Sequence, residues 1–132
     1  MTCACVALSG CVRDPESEIC PAVGEGDLAV TEMRRSDDPA GTWIEVFNPG
    51  SSVDLEGMVV RLLSIDEATD LRMLVRRSVP LAAGDYVVLG DFDARSRPDH
   101  ADYGFGADFD HEAPPSGAVT LLACGTQIDR VV

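Results

Sequence analysis

The chain has 132 residues, and its 23 acidic and 10 basic side chains give it a formal charge of −13. All ten basic residues are arginine, and the acidic excess disfavours direct binding to nucleic-acid phosphates or to anionic lipid, since both need clustered positive charge. Hydrophobic residues make up 45%, which is a globular composition, and no apolar run approaches the roughly 18 residues that a membrane-spanning helix requires.

Residues 1–11 end in Leu8-Ser9-Gly10-Cys11, which resembles the lipobox of bacterial lipoproteins, where a lipid is attached to the cysteine and the chain is cut just before it. The basic n-region and most of the apolar h-region of a signal peptide are missing, as for a signal that begins upstream of Met1. The resemblance implies that residues 1–11 are the remnant of such a signal and that Cys11 carries the lipid. An N-terminal tail with incidental small residues is the alternative.

The five cysteines stand at positions 3, 5, 11, 20 and 124, and an odd number leaves one thiol unpaired. Cleavage before Cys11 would remove Cys3 and Cys5, and lipid attachment would use Cys11 itself. Cys20 and Cys124 would then remain as a pair in an oxidising compartment. We therefore predict a Cys20–Cys124 disulfide, with two small buried thiols as the alternative.

Residues 12–26 are polar, contain two prolines and show no periodicity, which predicts a flexible tether. From residue 27 onward, short runs of Val, Ile and Leu recur between clusters of Gly, Pro, Asp and Ser, a pattern typical of an all-β sandwich. Period two places Glu32 on the same side of its strand as Leu28 and Val30. A hairpin is expected at Gly125-Thr126. The predicted strands cover 28–33, 42–47, 58–63, 71–75, 86–89, 119–123 and 127–131, with a short one near 103–105.

Six strings carry a family resemblance. They are Gly26-Asp27-Leu28-Ala29-Val30-Thr31-Glu32, Gly41-Thr42-Trp43-Ile44-Glu45-Val46-Phe47-Asn48, Val53-Asp54-Leu55-Glu56-Gly57-Met58, Leu81-Ala82-Ala83-Gly84-Asp85-Tyr86-Val87-Val88-Leu89-Gly90, Ser116-Gly117-Ala118-Val119-Thr120-Leu121-Leu122 and Gly125-Thr126-Gln127-Ile128-Asp129-Arg130-Val131. In this order they resemble the lamin tail domain family, an immunoglobulin-like antiparallel β-sandwich that also occurs in bacterial exported proteins.

The resemblance covers residues 26–132 and implies a sandwich domain of about seven strands over 27–132. Members of the family are usually interaction modules, so the resemblance implies no catalytic residues. It does imply architectural roles for a set of matched residues: Asp27, Glu32, Trp43, Glu45, Asn48, Gly57, Gly84 and Asp129. Trp43, the only tryptophan, is expected in the core.

Two carboxylates, Glu32 and Glu45, lie in adjacent predicted strands and could serve as a general acid and base. Because both fall in strings that define the fold, we favour structural hydrogen bonds to loop backbone or to Arg34 or Arg35. Four arginines concentrate on the third and fourth predicted strands, where cross-strand pairing is favoured over a basic docking face. These are Arg61, Arg72, Arg76 and Arg77.

The acidic loop over residues 90–117 is the candidate metal site. Asp91, Asp93, Asp99 and Asp102 loosely follow the spacing of a calcium loop, and calcium takes six to eight oxygen ligands. The turn glycine of an EF-hand is absent, so a solvated loop is the favoured interpretation. A zinc hydrolase site on His100, Asp110 and His111 is disfavoured, because adjacent residues of one strand point to opposite faces.

We therefore expect a non-enzymatic module of the bacterial cell envelope, an outer-membrane lipoprotein facing the periplasm or the surface. It would bind a protein or an envelope component through strand edges or loops, contact the membrane only through its lipid anchor, and bind no nucleic acid. The first alternative is a calcium-dependent adhesion module that uses residues 91–112. The second is a metal-dependent hydrolase.

Overall fold

The structure is a computed structural model that describes residues 18–35, 39, 41–109 and 113–132. The expected signal remnant with Cys11 lies outside the described residues. Alternating burial along the chain produces the strands directly: in Met58–Ser64, every second side chain is buried. The strands are β1 (Ala29–Arg34), β2 (Trp43–Phe47), β3 (Val53–Asp54), β4 (Met58–Ser64), β5 (Asp70–Leu74), β6 (Pro80–Leu81), β7 (Tyr86–Gly90), β8 (Tyr103–Gly104), β9 (Gly117–Ala123) and β10 (Thr126–Val131).

Two four-stranded sheets form the domain. The first has the order β1-β2-β7-β8 and the second the order β10-β9-β4-β5, while β3 and β6 make a separate two-stranded ribbon. The pairs are antiparallel except for β7 and β8, which run parallel because the chain from residue 91 to 102 crosses back before pairing. This confirms the predicted all-β sandwich with antiparallel sheets, and each of the seven predicted longer strands lies within two residues of an observed one.

The core lies between the two sheets. Val46 and Leu89 of the first sheet, and Met58, Val60 and Leu121 of the second, are all 0% exposed. Fully burying a side chain of this size contributes about 1.5–3 kcal/mol relative to leaving it exposed. The face of the first sheet that points away from this core is called the outer face below.

Strand β1 departs from simple alternation. A β-bulge between Val30 and Glu32 shifts its register against β2, so that Val30 and Met33 pack against the core. The expectation that Glu32 shares a side with Val30 is therefore wrong. The extra residue, Thr31, turns Glu32 to the outer face, since a one-residue shift exchanges the two faces of a strand.

The β9–β10 hairpin turns at Cys124 and Gly125, one residue earlier than expected. Both residues have positive φ, 45° and 82°, as a two-residue type I′ turn requires. Cys124 forms a disulfide with Cys20, with a Cα–Cα distance of 5.5 Å across 104 positions of sequence. The predicted pairing is thus present in the structure.

Residues 18–26, the end of the expected tether, lie against the domain. Pro21 is buried, Val23 packs against the core, and the N–H of Gly26 donates to the carbonyl of Ile128 at 2.8 Å. Gly57 has φ +89°, and a Cβ there would overlap the carbonyl of Ile19. The disulfide and this close approach fix where the linker enters the domain, beside the β9–β10 turn.

Candidate interaction surface

Asn48 organises one end of the first sheet from a buried position, with 2% of its surface exposed. Its Nδ2 donates to the carbonyls of Ser51, Leu81 and Ala82 at 2.8–3.2 Å, and its Oδ1 accepts from the N–H of Gly50 at 3.0 Å. One side chain therefore holds together the turn after β2 and the chain after β6. Its role in the structure is architectural.

The other matched loop residues also serve the backbone. Asp27 accepts from the N–H of Gly24 at 2.7 Å, and Asp129 accepts from the N–H of Val30 at 2.7 Å. Gly57 and Gly84 have φ of +89° and +77°, values that side-chain-bearing residues rarely adopt. The residues that carry the resemblance are thus used to build the fold.

Both sides of the sandwich are joined where edge strands meet. On one side, the Asp129 carboxylate of β10 caps an N–H of β1. On the other, the hydroxyl of Tyr103 in β8 accepts from the N–H of Arg76 at 3.0 Å and lies 3.4 Å from the carbonyl of Leu74, at the end of β5. An unpaired edge is a template for adding another strand. These contacts occupy part of the β1 and β10 edges on one side and of the β8 and β5 edges on the other. The sheet faces are therefore the other candidate surfaces for a partner.

The acidic loop does not assemble a metal site among the described residues, where no group of three or more His, Cys, Asp or Glu side chains could hold an ion. Asp102 accepts from the N–H of Val88 at 2.8 Å and extends the edge of β7. Burial, with a smaller contribution from Asp93, raises the pKa of Asp91. Asp93 and Asp99 are exposed. Of the zinc set, Asp110 and His111 lie outside the described residues.

Trp43 is not a core residue, contrary to expectation. Ile44 and Val46 take the core side of β2, so alternation places Trp43 on the outer face, where it is half-buried. The loop after β7 covers it: His100 stands edge-on to both Trp43 and Phe92, with ring centroids 5.9 and 6.2 Å apart. The indole Nε1 is shielded there and has no hydrogen-bond partner among the residues that the structure describes.

Gly90 makes this covering possible. It lies directly opposite Trp43 in register, and a Cβ there would come within 2.5 Å of the Phe92 ring. Because Gly90 has no side chain, the ring can lie against the sheet. The aromatic side chains at this end of the outer face therefore cover one another.

The arginines of β4 and β5, and Arg76 after β5, contact carboxylates of the chain, and the pair made by Arg61 is of the favoured cross-strand kind. Arg61 makes a bidentate pair with Asp70 of the neighbouring strand at 2.8 and 3.0 Å, and this pair lowers the pKa of Asp70. Arg76 makes a second bidentate pair with Asp108, at 2.9 Å for both contacts. Arg72 lies 3.7 Å from Asp70.

The remaining outer face combines two carboxylates with one exposed aromatic ring, that of Tyr86. Glu32 and Glu45 are direct register partners, as the adjacent strands suggested. Glu32 forms an ion pair with Arg34, whereas Glu45 accepts from the Thr31 hydroxyl at 2.8 Å. The ion pair of Glu32 with Arg34 is of the expected kind, whereas Glu45 bonds to Thr31 and not to an arginine.

Beside them, Phe47 and Tyr86 are register partners whose rings lie 4.7 Å apart at a tilt of 33°. Tyr86 is 56% exposed, which is unusual for a large aromatic residue and typical of interfaces. Sequence reasoning missed Tyr86 and treated it only as a strand residue. The sequence did contain the signal. In Tyr86-Val87-Val88-Leu89, period two puts the tyrosine on one face of the strand and the buried Val87 and Leu89 on the other.

No protein-family model matches the chain, and no curated protein matches it either. The described residues include no helix that is long and apolar enough to cross a membrane.

Proposed function

We propose that the chain is a non-enzymatic, lamin-tail-like interaction module of the bacterial cell envelope, anchored by a lipid at Cys11. The interaction role rests on the exposed ring of Tyr86, which packs against the half-buried ring of Phe47 on the outer face. The side chains of Asn48 and Asp129 bond to the backbone of the fold, whereas the side chain of Tyr86 makes no hydrogen bond among the described residues. An exposed ring supported by a second ring is a surface suited to a partner.

The lipid anchor is supported by Leu8-Ser9-Gly10-Cys11. The disulfide between Cys20 and Cys124 is of the kind that persists in exported proteins. Only eight residues separate Cys11 from Cys20, so the domain would be held close to the membrane by a short linker.

Metabolic labelling with palmitate tests the anchor, using bacteria that express the chain from its own gene together with the DNA that precedes the Met1 codon. We expect label on the native chain and none on Cys11→Ala. Equal labelling of the two would contradict the anchor. Cys20→Ser serves as a control, because it also replaces one cysteine by a small residue and should keep the label.

Photo-cross-linking tests the interaction role. A photoreactive amino acid is placed at Tyr86 on the outer face, or at Glu67 in the β4–β5 turn of the second sheet, in the anchored protein in intact cells. We expect a discrete adduct from position 86 and none from position 67. No adduct from 86, or the same adducts from both positions, would contradict the proposal.

A further inference from the structure

The part of the outer face around Tyr86 carries one particular combination of groups. We call Thr31, Glu45, Phe47 and Tyr86 the Tyr86 platform. Glu45 and Phe47 are two positions apart on β2 and share a face, and Tyr86 lies directly opposite Phe47. Tyr86 and Glu45 are therefore diagonal neighbours across the two strands, about 7–8 Å apart, within reach of one long side chain lying between them.

The carboxylate of Glu45 has no cationic partner among the described residues. Its hydrogen bond comes from the neutral Thr31 hydroxyl, and its register partner is a second glutamate, Glu32. Like charges directly opposite each other across two strands are destabilising. Arg34 offsets the charge of Glu32, so the uncompensated negative charge of this pair lies at Glu45, on the side of the platform.

Elsewhere in this chain, a tyrosine ring and carboxylates are contacted by arginine side chains. The guanidinium of Arg77 lies over the ring of Tyr103, 5.0 Å from its centroid, and Arg61 and Arg76 each pair with a carboxylate through two nitrogens. A planar guanidinium stacks on an aromatic face and donates in its own plane to a carboxylate, which a lysine ammonium cannot do in the same way.

We propose that the Tyr86 platform binds an arginine side chain of a partner protein, with the guanidinium on the Tyr86 ring and its N–H groups donating to Glu45. The charge of −13 favours a basic partner segment, since a net acidic protein attracts cationic segments over long range. The inference rests on the proposed interaction role and names the partner chemistry for the same surface.

The test uses the full chain and three matched peptides, in which glycine alternates with arginine, with lysine, or with citrulline, the uncharged counterpart of arginine. Binding is followed by NMR chemical shifts of backbone amides. We expect the arginine peptide to bind most tightly, with shifts centred on residues 45–47 and 86–88. Tyr86→Ala and Glu45→Gln should each weaken it by at least about threefold, the scale of an exposed cation–π contact.

The control variants are Ile65→Ala and Glu67→Gln. They remove an exposed apolar side chain and a charge from the β4–β5 turn, and they should leave the affinity unchanged. Thermal melts of all four variants show whether each is folded.

Equal affinity for the arginine and lysine peptides, or equal losses in platform and control variants, would overturn the inference in favour of general electrostatic attraction. Shifts at the platform with a neutral oligosaccharide such as chitotetraose, without arginine selectivity, would overturn it in favour of a saccharide. A discrete cross-link from position 86 combined with either result would leave the interaction role intact and remove only the arginine assignment. If position 86 gave no cross-link and the peptides also bound without selectivity, both the interaction role and the arginine assignment would be contradicted.

Discussion

The hydroxyl of Tyr103 accepts a hydrogen bond from the backbone N–H of Arg76 at 3.0 Å. Tyr103 belongs to β8 of the first sheet, whereas Arg76 follows β5 of the second, so a single phenol joins the two sheets. The ring is buried, with 5% of its surface exposed, and packs edge-on against Phe105 at a centroid distance of 5.3 Å. The contact fixes how the end of the long loop meets the sandwich.

Tyr103→Phe removes this hydroxyl and keeps the ring. We expect a loss of about 1–3 kcal/mol of unfolding free energy, because the N–H of Arg76 would lose its bond to the hydroxyl in a partly buried place. Urea unfolding followed by circular dichroism measures the change. Tyr86→Phe is the matched control: it makes the same chemical change at an exposed ring and should leave stability unaltered. Equal effects of the two variants would contradict the sheet-joining role.

Asn48→Ala should destabilise the domain by at least about 2 kcal/mol, because three carbonyls and one N–H lose their partner inside the protein. Asn48→Asp distinguishes the hydrogen bond that Oδ1 accepts from those that Nδ2 donates. It keeps an oxygen for Gly50 but places a negative charge against the carbonyls of Ser51, Leu81 and Ala82, so it should be destabilising as well. Differential scanning calorimetry tests both variants. An Asn48→Asp variant as stable as the native protein would show that donation by Nδ2 is unimportant.

The strand positions could be predicted from the sequence because the alternation of buried and exposed side chains depends only on neighbouring residues. Val87 and Leu89, for example, lie two positions apart, and both face the core. The disulfide prediction followed from the lipobox resemblance, which sets aside Cys3, Cys5 and Cys11 and leaves Cys20 and Cys124 as a pair. What alternation does not determine is the absolute face of a strand, because one inserted residue exchanges the two sides. The bulge at Thr31 did this to Glu32.

The site was less predictable than the fold because it depends on how distant segments cover the sheet. Trp43 was expected in the core, yet its cover is the side chains of Phe92 and His100, brought there by a loop with no regular pattern. Tyr103 was placed in a short strand, but its partner lies 27 positions earlier in the sequence. Neither contact follows from periodicity.

Gly57→Ala should cost more stability than Gly84→Ala. Both positions have positive φ, so both variants pay the backbone penalty of about 1–2 kcal/mol for a left-handed residue. A Cβ at position 84 has nothing within 4 Å, whereas one at position 57 overlaps the carbonyl of Ile19. The difference between the two unfolding free energies, measured in urea, therefore isolates the contact with the linker segment. Equal costs would mean that this segment does not rest on Gly57 in solution.

Asp54 should make the domain less stable in acid. Its pKa lies below the usual value, chiefly because the Ser78 hydroxyl donates to the carboxylate, with the N–H groups of Glu56 and Val79 adding to this and burial opposing it. A lowered pKa gives stability that is present above about pH 4 and is lost as the pH falls through the folded-state pKa.

Asp54→Asn should therefore lower Tm most above about pH 5 and progressively less as the carboxylate of the native protein becomes protonated. Comparing the two proteins at each pH cancels the other titrating groups. Asp99→Asn is the control, since the Asp99 side chain accepts no hydrogen bond among the described residues, and its Tm should follow that of the native protein throughout. A constant difference between native protein and Asp54→Asn at every pH would contradict the assignment.

Reduction of the Cys20–Cys124 disulfide should destabilise the domain by ~4–5 kcal/mol at most, which is the chain-entropy limit for a closed loop of about 100 residues. The Cys20→Ser/Cys124→Ser variant should show the same loss without reductant and should not respond to dithiothreitol, whereas the native protein should respond fully. Peptide mapping under non-reducing conditions identifies the linked pair independently of stability. Free thiols at both positions in protein that has been exported to an oxidising compartment would contradict the disulfide and, with it, the position at which the linker enters the domain beside the β9–β10 turn.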